Sequence, residues 1–236
     1  MLLPFISIAA TTLSALTAFD QSYTDYAELL SKYVCESGVV YEELVDEPAL
    51  DTIDRTFAAL SRQEFESYSV KEQLAYLINV YNFYTLALIQ RNYPLASINN
   101  LTRPWDQEFV PLFGKKVSLN YIEHKLLRKQ YDEPRIHFAL NCASRSCPRL
   151  LKKPFVGARL DEQLDYAAKE FLTDTTRNRI DKKTLRLSKL FEWYGDDFKN
   201  PGGYKAYVKQ TLGLEGKYRV RFLEYDWGLN ETQTCP

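Results

Sequence analysis

The run from Leu74 to Ile89 is apolar around almost the whole circumference of a helix, and it stops before Pro94. A helix with no wet face belongs in the middle of a fold, so this segment is expected to form a central, buried helix. Ser69-Val70-Lys71-Glu72 supplies a capping box directly in front of it. Asn79 and Asn82 lie one turn apart on the same side of the run. A buried amide must be hydrogen-bonded, so they either tie down neighbouring backbone or orient a catalytic imidazole and help hold an oxyanion.

Other segments read as covering layers. Tyr26, Leu29, Leu30 and Tyr33, and then Leu50, Ile53, Phe57 and Leu60, recur at helical spacing. Ser61 to Glu64 is a second capping signature, and Asn120 to Glu123 a third, opening a helix on which His124 and Arg128 share a face. Residues 95–113 show no periodicity and are expected to form a long loop with Trp105 as lid or anchor. Ile136, Phe138 and Leu140 alternate with His137 and Ala139, which predicts a buried strand. Leu160 to Leu172 predicts an amphipathic helix. A hairpin turning at Lys182-Lys183, a helix over 204–212 ending at Gly213, and a strand over 219–224 complete the pattern.

The segment from Arg135 to Pro148 concentrates the chemistry. It holds one of two histidines and two of four cysteines. A thiolate nucleophile, a soft metal ligand and a disulfide partner all draw on these residue types. If Cys142 is the nucleophile, His137 or His124 must activate it. An extended chain would point Cys142 and His137 to opposite sides, so a bend at Asn141 must bring them together or His124 must serve. A zinc site would use His124, His137, Cys142 and Cys147, on a weak spacing signal. Alternatively Cys142 pairs with Cys147, and Cys35 with Cys235. Arg128 and Arg135 are candidates to bind an acidic substrate group, with Trp105 beside them, although ordinary ion pairs would also occupy both guanidiniums.

The first charged side chain is Asp20, and small residues at Ala15 and Ala18 suit a signal peptidase, so residues 1–18 are expected to be a secretory signal peptide. The remainder, residues 19–236, is expected to be a single domain, periplasmic or secreted, with no stable membrane span after cleavage. Lysine and arginine number 30 against 31 acidic residues, which gives no field favouring nucleic acid. No cofactor and no resident metal are expected. The partner is a small-molecule or peptide substrate.

Leu77-Ile78-Asn79-Val80-Tyr81-Asn82, Ile122-Glu123-His124 with Leu127-Arg128, Arg135 to Leu140 with Cys142-Ala143-Ser144 and Cys147-Pro148, and Leu187-Ser188 with Phe191 to Tyr194 and Asp197-Phe198 occur in this order. As a set they resemble the domain of unknown function family 547, over roughly residues 41–207. The resemblance implies a domain identity without a reaction, and it implies occurrence in exported bacterial proteins and in plant and animal multidomain proteins. The positions matching its motifs are Asn79, Asn82, Glu123, His124, Arg128, His137, Cys142, Ser144 and Cys147. Trp193 and Tyr194 are expected to pack the core.

Together these features predict an α+β fold, a helix-rich single domain packed on a small β-sheet containing His137, loosely papain- and transglutaminase-like by analogy. The leading expectation is a Cys/His enzyme for acyl transfer or amide hydrolysis, with Cys142 as nucleophile, His137 or His124 as base, and Asn79 or Asn82 in support. The main alternative is a non-catalytic binding domain with a disulfide-closed polar pocket; thiol-disulfide exchange and the zinc site are further alternatives.

Overall fold

The structure is a computed structural model that describes residues 19–199 and 201–235; the expected signal peptide lies outside the described residues. Five helices open the fold: α1 (Thr24–Tyr33), α2 (Tyr41–Leu44), α3 (Ala49–Ala59), α4 (Arg62–Ser67) and α5 (Val70–Arg91). Every residue of α5 from Leu74 to Ile89 is buried, as its all-round apolar surface dictates. Ser69 and Glu72 form the capping box at its start, and Ser61 caps α4 by accepting from the Glu64 N–H. The apolar stripes of α1 and α3 face the same core, where Phe57 meets Tyr26, Tyr76 and Phe83. No helix among the described residues is long and apolar enough to cross a membrane.

The segment after α5 departs from the expected loop. A 3-10 turn (Ile98–Asn100) is followed by a hairpin of β1 (Val110–Leu112) and β2 (Lys115–Val117), with Val110 opposite Val117. The turn is made at Phe113-Gly114, both at positive φ. Then α6 (Leu119–Tyr121) runs through a π-helical stretch (Ile122–Leu127) into α7 (Arg128–Gln130). Its cap is Ser118, whose side chain accepts from the Tyr121 N–H, and not Asn120.

The expected strand over 135–140 is instead a 3-10 helix (Pro134–Phe138), so His137 does not belong to a sheet. Pro134 stands at its first position, where a missing N–H costs nothing. The turn distributes its apolar residues between two cores. Ile136, Ala139 and Leu140 join the cluster around α5, while Phe138 joins a second cluster with Phe171, Leu187, Phe191 and Phe198. That second cluster is built from α8 (Leu160–Thr173), β4 (Thr184–Leu187), α9 (Leu190–Trp193), α10 (Gly203–Thr211) and β5 (Arg219–Phe222), with β3 (Arg179–Asp181) exposed at the sheet edge. Strand β4 is central, antiparallel to β3 and parallel to β5. The fold is therefore helix-rich α+β with small sheets.

The chain ends by returning to its start. Arg145 N–H donates to the Gly228 carbonyl, Asn230 N–H to Ala143, and Val39 N–H to Asn230. Cys35 and Cys235 are disulfide-bonded across a separation of 200 residues, with Cα atoms 5.3 Å apart.

Candidate functional site

The π-helical turn, the cysteine loop, and the two segments carrying Trp193 with Tyr194 and Tyr225 with Trp227 converge on one cavity of about 280 Å³. The cysteine loop is built first from Asn141. Its side chain accepts from the Ala143 N–H at 2.9 Å and donates to the Pro148 carbonyl at 2.7 Å, which folds the loop back on itself. Ala143 takes a positive φ of 60° in that bend. Arg177 clamps the outside, donating to the carbonyls of Cys147 at 2.7 Å and Arg145 at 2.8 Å. Cys142 and Cys147 are disulfide-bonded, with Cα atoms 6.0 Å apart, and both line the cavity. The Cys142 sulfur also contacts Ser144 Oγ at 3.2 Å and Tyr225 Oη at 3.3 Å. Burial pushes the Tyr225 phenol up to about 12, so it stays protonated.

His137 lines the same cavity from the 3-10 turn. Its ring stacks on Tyr194 at 4.2 Å between centroids, and its Nε2 lies 2.6 Å from Asp197 Oδ2. Arg128 donates twice to the same carboxylate, Nε to Oδ2 at 2.6 Å and Nη2 to Oδ1 at 2.9 Å. Burial works against the charged form of Asp197, but the bonds from His137 and Arg128 outweigh it and hold the carboxyl well below the usual range. Arg128 also lies over the Tyr194 ring, 4.9 Å from its centroid. Asp197 thus fixes the imidazole and the guanidinium together.

The sequence-derived residues separate into two groups. Cys142, His137 and Trp105 line the cavity. Among the described residues no hydrogen bond joins either imidazole to either sulfur. His124 Nδ1 instead accepts from Arg128 Nη1 at 3.0 Å, on the shared helical face. Arg128 is consumed by Asp197. Arg135 does not enter the cavity: it binds Glu133, Asp161 and Asp165 at 2.8, 2.8 and 2.7 Å, pinning the 3-10 turn to α8. Asn79 and Asn82 turn away as well. Asn79 exchanges hydrogen bonds with the Phe155 backbone at 2.7 and 2.9 Å. Asn82 donates to the Ala139 carbonyl at 2.9 Å and accepts from the Asn141 N–H at 2.8 Å. Asn82 braces the start of the cysteine loop and Asn79 the backbone at Phe155, and neither amide is left to serve an oxyanion. The four residues of the zinc reading do not gather into a metal-binding group among the described residues.

Beyond Cys142, His137 and Trp105, several lining residues were not singled out as site residues from the sequence. All three tryptophans of the chain, Trp105, Trp193 and Trp227, line the cavity. Trp193, expected in the core, is 43 % exposed and stacks on Trp227 at 5.8 Å between centroids. Tyr225 contacts both indoles, at 4.8 Å from Trp193 and 4.6 Å from Trp227, and Trp105 meets Trp227 edge-on at 5.7 Å. Glu123, buried in the π-helical stretch, faces the Tyr81 and Tyr194 hydroxyls. Burial, and after it the Glu123 charge, raises both phenols well above their ordinary value. The π-turn, in which the Arg128 N–H bonds the Glu123 carbonyl five residues back, is the irregularity that sets this carboxylate in the lining.

Residues 65–172 match the model of the family described as "Protein of unknown function, DUF547". The matched segment contains Glu123, His137 and both inner cysteines, whereas Trp193, Tyr194, Asp197, Tyr225 and Trp227 lie beyond it. No curated protein and no solved structure matches the chain.

Proposed function

We propose that this chain is a non-catalytic binding domain whose disulfide-closed pocket takes a small-molecule ligand or a side chain of a peptide. One observation carries the reading: tryptophans spread from position 105 to 227 meet around a single cavity whose wall includes the closed Cys142 and Cys147 pair. A largely aromatic cleft with a few placed polar groups is the usual form of a ligand site. The braced loop beneath it supports a preformed pocket, because Asn82, Asn141 and Arg177 fix its backbone through the protein's own hydrogen bonds. Two disulfides agree with a periplasmic or secreted setting, which is part of the proposal.

A second reading, cysteine-based acyl transfer or amide hydrolysis, draws on the fact that His137 and Cys142 line the same cavity. It requires Cys142 to be released from Cys147 and its sulfur to gain an imidazole partner. Thiol-disulfide exchange would start from the same release.

Alkylation of the protein purified without reductant separates the readings. The binding reading expects all four cysteines to resist iodoacetamide under denaturing conditions until a reductant is added, as read by mass spectrometry. A Cys142 thiol that labels in the unreduced protein, together with loss of hydrolysis of an activated ester in Cys142→Ser, would establish the enzyme and end the binding reading.

A further inference from the structure

The lining holds one feature that an apolar pocket does not need. Glu123 is 9 % exposed at its side chain and reaches the cavity, yet among the described residues no lysine or arginine pairs with it. His124 Nδ1 stands 4.0 Å from Glu123 Oε1. That nitrogen accepts a hydrogen bond from Arg128, and a guanidinium can only donate, so Nδ1 has no proton to offer the carboxylate. Arg128 itself is committed to Asp197 through two bonds. The groups facing Glu123 are therefore the Tyr81 and Tyr194 hydroxyls, which carry no positive charge. Arg128 is near enough to feel the Glu123 charge but is spent on Asp197, so the carboxylate has no cation in contact with it; that is costly for a group withdrawn from water, and a cationic ligand would lower the cost.

The remaining walls suit such a cation. Indole and phenol faces are the best aromatic partners for a positive charge, and Trp193, Tyr225 and Trp227 form a continuous wall of them. A cavity of about 280 Å³ is small for a ligand site and matches a compact head group. We infer that the pocket takes an organic cation, an alkylated ammonium head group whose methyls lie on the tryptophan wall and whose charge is answered by Glu123. This rests on the binding reading and names the ligand's chemistry within it.

The three tryptophans make the full-length, oxidised protein its own reporter. Choline and its uncharged isostere 3,3-dimethylbutanol are titrated separately while tryptophan emission is followed. Choline is expected to bind at least tenfold more tightly than the isostere. Glu123→Gln is expected to weaken choline by about tenfold and leave the isostere unchanged. Trp193→Ala, a change at a partly exposed position that leaves the core intact, is expected to weaken both probes. Equal binding of the two probes, or a Glu123→Gln variant that binds choline as the wild type does, overturns the cation inference while leaving a pocket for neutral ligands. If neither probe nor any member of a panel of neutral ring compounds changes the emission, the binding reading falls and this inference with it.

Discussion

Asp197 and Asn82 are the residues on which the site's geometry turns, and neither has to touch a ligand to do so. Asp197 holds His137 and Arg128 at once, and its carboxyl is kept well below the usual range by those bonds against the opposing effect of burial. Asp197→Asn is expected to cost about 2 kcal/mol near neutral pH, measured by urea unfolding. The folded carboxyl titrates below the value of about 3.9 for an unfolded aspartate. Its stabilisation is therefore complete above about pH 4 and is lost as the pH falls through the folded value, so wild type and variant should converge in strong acid. Asn82 serves one donor and one acceptor of the buried backbone at the mouth of the cysteine loop. Asn82→Ala strands both, and a loss of about 3 kcal/mol is expected in the same measurement.

Among the elements, α5 is the one most legible in the sequence and the one whose ends are most testable. Its capping box was readable as Ser69 and Glu72 because side chains three residues apart reach each other's backbone only at a helix start. Ser69→Ala is expected to lower stability by about 1 kcal/mol. Gly157 meets the same first turn from the other side: a Cβ there would lie 2.5 Å from Glu72 Cγ and 2.9 Å from the Glu72 backbone. Gly157→Ala should therefore push α5 off its seat and cost about 1–3 kcal/mol, with a lowered thermal midpoint by circular dichroism as the readout. The amphipathic helices α1, α3 and α8 and the strand β4 were equally legible, since each shows one buried face at one period. The 3-10 turn was not: Ile136, Phe138 and Leu140 alternate as in a strand, but they do so because they serve two cores on two sides. The β1–β2 hairpin was hidden by strands of three residues each, too short for a period to show. Of the site, His137, Cys142 and Trp105 could be found because rare residue types cluster or stand in unpatterned chain. Glu123 stood out in sequence only through the motif match, Asp197, which fixes His137 from beside the cavity, resembles an ordinary surface acid, and Tyr225 and Trp227 sit in a tail without periodicity, so only folding gathers them around the site.

At the scale of the whole molecule, the two disulfides do different work. The outer one joins residues 200 apart, the inner one residues 5 apart. In the chain-entropy account the outer bond constrains the unfolded state by about 5 kcal/mol and the inner by about 2 kcal/mol. The paired Cys35→Ser and Cys235→Ser variant is accordingly expected to lose more stability in guanidinium than the paired Cys142→Ser and Cys147→Ser variant, which should instead perturb tryptophan emission the more because its sulfurs line the cavity. The closing segment carries a consequence for how the molecule can be dissected. Tyr225 and Trp227 come from the last dozen residues, held in place by backbone bonds to the cysteine loop and to Val39. A recombinant fragment cut to the family-matched stretch would keep the acid and the sulfurs and discard two of the three indoles, yielding half a cavity whose silence in a ligand screen would say nothing about the intact chain.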